Sequence, residues 1–365
     1  MRFPKNWESS WLLQLMKTSL LIKLNKEIFQ AASRCYTWQH VLTAADFRGE
    51  TERMRQDLAD ALAIREYADE QGFEVTQAEV ESAQDEFRFR HNLISGEETE
   101  QWLDHCGLSL DDFKEFFRRR LLMNRFHAQV TDICRNYAPS DTEVADYTWP
   151  EAILTGDYER LTVPLARRVA VRLDGSTRCT PGELTEVRHI PEARLRGHPF
   201  DPEWFAELVE MEARYASAER EALTPDRCAR EIRTRFLQLT RIEIAQVTFP
   251  SLDQAREAYA CITGEGERLD AVAARSRRIF DLAARFYDEV PEDVRSLFFS
   301  ATPGRVVPPM DKEGLFAVYE IRRRIEPDLN DAEVLARVRK RLLSVQFDAL
   351  VSRHVRWLFD PWSPA

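Results

Sequence analysis

The stretch LFFSATPGRVVPPMDKEGLFAVYEI, residues 297–321, decides how the C-terminal half of this chain folds. It begins with the last turns of an apolar helix and continues through a turn at Pro303 and Gly304. It ends in an apolar and aromatic segment after Gly314 that is typical of a β-strand. The stretch has no His, no Cys and no Ser beside a base, so it offers no reactive group of its own.

The segments before this stretch predict a small α+β unit over residues 241–326. RIEIAQVTF (241–249) alternates and is rich in β-branched residues, which predicts a strand. SLDQAREAYACITGEG begins with a capping Ser and ends in glycines, so it predicts a helix, and a shorter helix follows over RLDAVAARS. The helix VPEDVRSLFFSA then leads into the turn and the last strand.

The N-terminal part has the spacing of several amphipathic helices. TERMRQDLADALAIREYADEQG places apolar residues on one face and ends at Gly72, where a helix would be capped. Thr76 and Glu79 have the spacing of a capping box, and Ser109 is a suitable N-cap for a further helix. A long final helix is predicted with Asn330 as its N-cap. The chain is therefore predicted to be α+β and mainly helical.

Two regions have weaker patterns. Residues 1–48 have the composition of helices but no distinct helix boundaries. Residues 138–200 predict two short helices, followed by a loop rich in Pro and Gly that has room for a β-hairpin. This second region is the predicted boundary between two halves of the chain.

The composition limits the classes of function. The chain has 365 residues, 44% of them hydrophobic, which is enough for about two domains with ordinary cores. A net charge of −11 argues against nucleic acid as a partner, because binding to phosphates depends on Lys and Arg. No apolar run is long enough for a signal-peptide core or a bilayer span, so we expect a cytoplasmic protein without membrane association. The six cysteines are scattered singly, so we expect free thiols and no metal site.

In the order of its elements, the unit over 241–326 resembles the parvulin type of peptidylprolyl isomerase domain. That family has sequences like VPEFEEAVFSLKPGEVSGPV followed by FGYHIIKL, and the matching runs here are VPEDVRSLFFSATPGRVVPPM and EGLFAVYEI. The run VESAQDEFRFRHNLISGEETEQWLDHCGLSLDDFKEFFRRRLLMNRF resembles the helical segment before parvulin domains in SurA-like, PrsA-like and NifM-like chaperones. The last helix resembles the C-terminal helix that packs back on that segment in these proteins.

This resemblance implies four segments and a function. The segments are a helical SurA-like domain (1–137), a helical and loop connecting region (138–240), a degenerate parvulin-like domain (241–326) and a C-terminal helix that packs on the first domain (327–365). The implied function is a peptide-binding chaperone, or a factor for peptide or protein maturation. Its partner would be a polypeptide client or a precursor peptide, and no cofactor is implied.

The resemblance also allows the isomerase residues to be checked. Prolyl isomerisation has a barrier of about 20 kcal/mol and needs no nucleophile, because twisting the amide and hydrogen bonding it are sufficient. Parvulins use two histidines, an Asp or Cys, and apolar pocket walls. Gln246 aligns with the first His and Phe316 with the second, and none of the seven histidines lies between 240 and 325. Asp281 remains from a shortened loop, and Val294 replaces the pocket aromatic. We therefore predict no catalytic residue and weak or lost isomerase activity.

Peptide binding needs only an apolar groove and sheet edges, so it can persist without these groups. The candidate peptide contacts are Gln246, Asp281, Phe286, Val294 and Phe316. The alternative is an active isomerase in which Gln246 and Asp281 take the polar roles.

A hypothesis from another class is an enzyme with cysteine and histidine chemistry. Cys106 beside His105, and Cys134, are the candidate groups. All three lie in segments that are predicted to be helical, where buried thiols are far more common than nucleophiles.

Overall fold

The structure, a computed structural model, describes residues 21–188 and 201–363. It divides into two units: the described residues of Met1–Glu219 with Phe347–Ala365, and Arg220–Gln346. Each unit combines helices with one antiparallel sheet, which confirms the α+β, mainly helical class. The four segments implied by the resemblance stay a prediction. In the part of the chain that the structure describes, no helix has the length and apolarity needed to cross a membrane.

Sixteen helices and seven strands are numbered here in chain order, within the described residues. The helices are α1 Trp38–Arg48, α2 Glu52–Gln71, α3 Gln77–Arg90, α4 Gly96–Cys106, α5 Leu110–Phe126, α6 Val130–Cys134, α7 Asp141–Thr155, α8 Asp157–Asp174, α9 Pro181–Arg188, α10 Pro202–Ala222, α11 Pro225–Thr234, α12 Phe236–Leu239, α13 Leu252–Glu265, α14 Leu269–Arg275, α15 Glu292–Ser300 and α16 Ala332–His354. The strands are β1 Glu27–Ala31, β2 Arg34–Thr37, β3 Arg241–Phe249, β4 Phe280–Phe286, β5 Val306–Lys312, β6 Leu315–Ile325 and β7 Val355–Trp357.

The C-terminal segment completes the core of the first unit. Strand β7 pairs with β1, which gives a three-stranded sheet of order β2-β1-β7. Phe359 follows it and is buried against Trp149 and Tyr158, with ring centroids 5.4 and 5.5 Å away. The Tyr158 hydroxyl donates to the Phe359 carbonyl at 2.9 Å, and the Trp102 indole donates to the Pro361 carbonyl at 2.8 Å. The last residues are therefore held by both burial and hydrogen bonds.

The helical prediction for residues 1–48 is wrong between 27 and 37. Strands β1 and β2 form a hairpin there, with Ala32 in the left-handed region at φ 52°. Phe29 and Tyr36 stack at 4.8 Å across the hairpin, and both are buried. The two strands are too short to show a period in the sequence, and aromatic pairing stabilises them. Residues 1–20 lie outside the described part of the chain.

The prediction of short helices after residue 138 is also wrong. Helices α7 and α8 have 15 and 18 residues, and each contains a proline, Pro150 and Pro164. Gly156 separates them with φ 81°. Because prolines commonly end helices, the sequence suggested shorter elements, but burial of both helices in the core outweighs the local cost. The suggested hairpin is not present in 175–188, where α9 forms, and residues 189–200 lie outside the described part.

Local capping patterns were predicted more reliably. Thr76 and Glu79 form the reciprocal capping box, and Gly72 ends α2 in the left-handed region. The N-cap of the final helix lies one residue after the predicted Asn330. The Asp331 carboxylate accepts a hydrogen bond from the Glu333 backbone N–H at 3.0 Å. A carboxylate at this position also interacts favourably with the helix dipole.

The second unit is built on a four-stranded antiparallel sheet of order β4-β3-β6-β5. One face of β3, with Ala245 and Val247, packs against α13 and α14. Ile242 and Ile244 lie on the opposite face and pack with residues of α15. The predicted turn before β5 is present, with Gly304 at φ 85°. The result is a central sheet with helices on both faces.

We expect Phe359→Ala to lower the free energy of unfolding of the first unit by about 3–5 kcal/mol, because it leaves a cavity between two aromatic rings. Leu358→Ala is the matched control, since Leu358 is 38% exposed and its loss should cost under about 1 kcal/mol. Urea denaturation of the full chain, followed by tryptophan fluorescence, measures both. Equal effects of the two substitutions would contradict the anchoring role.

Candidate functional site

A cavity of about 300 Å³ lies between α15 and the sheet of the second unit. Its apolar walls come from the segment around α15 and from three strands; the side chains are Ile244, Ala283, Val290, Pro291, Val294, Phe298 and Met310. Its polar and charged side chains are Gln246, Asp281, Arg285, Glu289, Asp293, Asp311, Lys312 and Tyr319. Apolar and polar side chains thus line the cavity together, so it offers both apolar surface and hydrogen-bonding groups to a bound molecule.

Three polar side chains cross the floor of this cavity in one row. Asp281 on β4 is the register partner of Gln246 on β3. Gln246 is in turn the register partner of Tyr319 on β6. Because neighbouring strands are about 4.8 Å apart, the row spans the width of three strands. The sheet therefore fixes the order of carboxylate, amide and phenol.

Hydrogen bonding and burial determine which groups of Gln246 and Tyr319 can donate to a bound molecule. The Gln246 side-chain carbonyl accepts from the Lys312 ammonium at 3.2 Å, so its NH₂ group is the part that can donate to a bound molecule. Burial raises the pKa of Tyr319, and the nearby Asp293 carboxylate adds to the shift. Tyr319 therefore stays protonated at neutral pH and can donate its O–H.

The structure brings together three of the five predicted contact residues. Gln246, Asp281 and Val294 line the cavity. Phe286 lies elsewhere, buried beside α11 and α16, with the Arg337 guanidinium 3.8 Å from its ring centre. Phe316 packs on the other face of the sheet, against the cluster that contains Phe249. The roles of all five as peptide contacts stay predictions.

Sequence reasoning missed Tyr319, Phe298 and the strand β4. Tyr319 packs on Phe298 with ring centroids 5.0 Å apart. The segment around Asp281, which the resemblance presented as a shortened loop, is instead an edge strand. Alternation along β6 places Tyr319 and Phe316 on opposite faces, so counting from the buried Val318 would have found it.

The cysteines of the competing hypothesis are in unreactive surroundings. Burial raises the pKa of Cys106 to about 12, and its thiol lies 3.9 Å from the Pro361 carbonyl. The neighbouring His105 ring contacts the Asp360 carbonyl at 2.8 Å. Burial and the Asp60 carboxylate, 3.3 Å away, raise the pKa of Cys134 to about 11. Neither thiol is activated as a nucleophile would be.

One cluster in the second unit has the composition of a metal site. Ligand atoms of Cys261, Glu265 and Glu267 lie within 4.8 Å of one another. Glu267 is already paired with the Arg275 guanidinium at 2.8 Å, which supplies a positive charge there. The sequence-based expectation of no metal stays a prediction.

Comparison with known proteins gives structural similarity only. A scan against protein-family models matched nothing, and a search of curated proteins also gave no match. A crystal structure of a peptidylprolyl isomerase, PrsA, from Bacillus cereus is 9% identical, with 60% of this chain and 88% of that chain covered and a TM-score of 0.32.

Two further solved structures are similar at the same level. The foldase protein PrsA from Streptococcus pneumoniae is 11% identical, with 89% of each chain covered and a TM-score of 0.26. A structure from work on the SurA-like chaperones PEB4 and Cj1289 of Campylobacter jejuni is 10% identical, with 76% and 90% covered and a TM-score of 0.22. TM-scores this low support no conclusion about function, so the function is argued below from the residues of the cavity.

We expect Cys106 and Cys134 to react slowly with a thiol reagent in the native chain. At pH 8, pKa values near 12 and 11 leave thiolate fractions of about 10⁻⁴ and 10⁻³. Labelling with 5,5′-dithiobis(2-nitrobenzoate), followed by peptide mapping, should show both sites modified at least about a hundredfold faster in urea. Rapid native modification of Cys106 would revive the cysteine-enzyme hypothesis.

Proposed function

We propose that this protein is a peptide-binding chaperone or maturation factor whose second unit holds a segment of an unfolded client. The observation that carries the proposal is the open cavity of about 300 Å³ with apolar walls. An apolar or prolyl side chain of a client would be removed from water against Val294, Phe298 and Met310. Burying such a side chain contributes roughly 1.5–3 kcal/mol, which suits weak and reversible binding of many sequences.

Hydrogen bonds from the cavity floor would orient the client backbone. The Gln246 amide and the Tyr319 hydroxyl are donors, and a peptide carbonyl is the acceptor they suit. The sheet register fixes the backbone positions of both residues, which limits the reorganisation that binding requires. Polypeptides are therefore the proposed partners, and a cytoplasmic location remains part of the proposal.

Isomerase activity is proposed to be weak or lost. Gln246 stands where the parvulin pattern has its first His, and its carbonyl is already held by Lys312. Phe316, aligned with the second His, packs away from the cavity. If the cavity binds a prolyl peptide without twisting its amide, the barrier to cis/trans isomerisation is lowered only a little, because the transition state is not bound more tightly than the ground state.

The proposal is tested by filling the cavity from its edge. Ala283 lines the cavity, whereas Ala284 is exposed and, being the next residue of β4, lies on the other face. We expect Ala283→Trp to weaken binding of a fluorescein-labelled, reduced and carboxymethylated unfolded protein by about tenfold, or 1.4 kcal/mol. Ala284→Trp should leave the affinity within about twofold.

Fluorescence anisotropy gives both affinities, and light scattering of an aggregating client gives an independent measure of protection. If neither the parent chain nor the variants bind the unfolded protein, the chaperone proposal fails. If Ala283→Trp binds the unfolded protein as tightly as the parent chain does, the cavity is not the binding site.

A second candidate function is an active isomerase with unusual residues. The row Asp281, Gln246 and Tyr319 favours it, because a carboxylate, an amide and a phenol line the same cavity. Such groups could hydrogen-bond a twisted prolyl amide without a histidine.

A proline-peptide isomerisation assay separates the two functions. Under the chaperone proposal, the chain adds little to the uncatalysed rate while still binding the peptide. Under the alternative, the parent chain accelerates isomerisation above the uncatalysed rate. The substitutions Gln246→Ala and Asp281→Ala then reduce this acceleration by about tenfold or more. The exposed Ser296→Ala on α15 is the matched control.

A further inference from the structure

Strand β4 is an open edge of the sheet beside the cavity. It is the outermost strand of the order β4-β3-β6-β5. Its pairing with β3 runs without interruption from Arg241 opposite Phe286 to Val247 opposite Phe280. The Phe286 N–H donates to the Glu289 carboxylate at 2.9 Å. The other outer N–H and C=O groups face away from the sheet, as in any edge strand, and can pair with another chain.

The opposite edge of the same sheet is protected. Strand β5 contains Pro308 and Pro309, which have no N–H to donate. Its pairing with β6 is interrupted between Val307 and Met310. Interruptions and prolines are the usual means by which proteins prevent pairing at an edge.

Strand β4 has none of these features and also exposes apolar side chains. Leu282 is 52% exposed, and Ile279, just before the strand, is 83% exposed. A further strand paired with β4 would partly cover these two side chains. The contrast between the two edges indicates that β4 is kept open for a partner.

The side chains of β4 that face the cavity have a charge order. Asp281, Ala283 and Arg285 all line the cavity, at alternate positions of the strand. Alternate residues are about 6.6–6.8 Å apart, so the two charges are separated by about 13 Å with a small residue between them. Among the described residues, the structure gives neither charge an ion-pair partner.

We infer that β4 receives the client as a fifth strand, antiparallel to it, whose cavity-facing side chains are acidic, apolar and basic in that order. This rests on the proposed function and specifies the client. The acidic residue would lie opposite Arg285 and the basic residue opposite Asp281. The apolar residue between them would pass over Ala283 into the cavity. Antiparallel pairing is specified because the whole sheet is antiparallel and such pairs are slightly more stable.

Two capped, labelled peptides of identical composition test the charge order on the full chain. They are Thr-Glu-Thr-Leu-Thr-Lys-Thr and its reverse, Thr-Lys-Thr-Leu-Thr-Glu-Thr. Cross-strand pairs of opposite charge are modestly stabilising, so the first peptide should bind about fivefold more tightly at low salt. The exchange variant Asp281→Lys/Arg285→Glu should reverse this preference.

A second measurement does not depend on any variant. Methylating backbone nitrogens of the first peptide removes donors, either at Glu, Leu and Lys or at the four Thr residues. Strand pairing uses only alternate N–H groups of the peptide. Methylating the set that faces β4 should therefore abolish binding, and methylating the other set should weaken binding by less than about threefold.

The possible results are distinguishable. Equal affinity of the two peptides, preference for the reverse peptide, or equal sensitivity to both methylation sets overturns the fifth-strand inference. Peptide binding at the cavity would still stand in each of these cases. If neither peptide binds and the unfolded protein does not bind either, both the inference and the proposed function fail.

Discussion

The second unit depends on β3 being buried on both faces at the centre of its sheet. Ile242 and Ile244 face one core, and Ala245 and Val247 face the other. A slip of one residue would exchange the two faces, so the register cannot vary without loss of both cores. One extra residue on β6, Arg322, lies between the partners of Glu243 and Ile244, and the register continues on both sides of this irregularity.

The cavity floor follows from this constraint. Since Ile244 must face the α15 side, Gln246 must face it too, and its two register partners are then fixed. The register therefore fixes the order of the polar row, whereas the apolar walls come from the segment around α15 and from the neighbouring strands. Phe298 is buried against Tyr319, whereas Met310 has a flexible, unbranched side chain. Under the proposed function, this flexible side chain would suit clients of varied sequence.

Local features of the fold were predictable from the sequence, and features that depend on distant pairing were not. The caps at Thr76 and Gly72 follow from side chains a few residues apart, so they were found. The β1–β2 hairpin and β4 were missed because a short or edge strand is stabilised by its partner and shows little pattern of its own. The resemblance named Gln246, Asp281 and Val294, which line one cavity in the structure, and their roles stay predictions. Tyr319 of the same cavity becomes evident only from the register of β6.

The two unlike edges of this sheet also limit self-association. Two copies that paired through β4 would use the open edge of both and would leave only the β5 edges outside. Those edges carry Pro308 and Pro309 and an interrupted ladder, so they cannot template a further copy. Edge-to-edge growth would end at a dimer, and the sheet lacks the second reactive side that linear polymerisation into fibres requires.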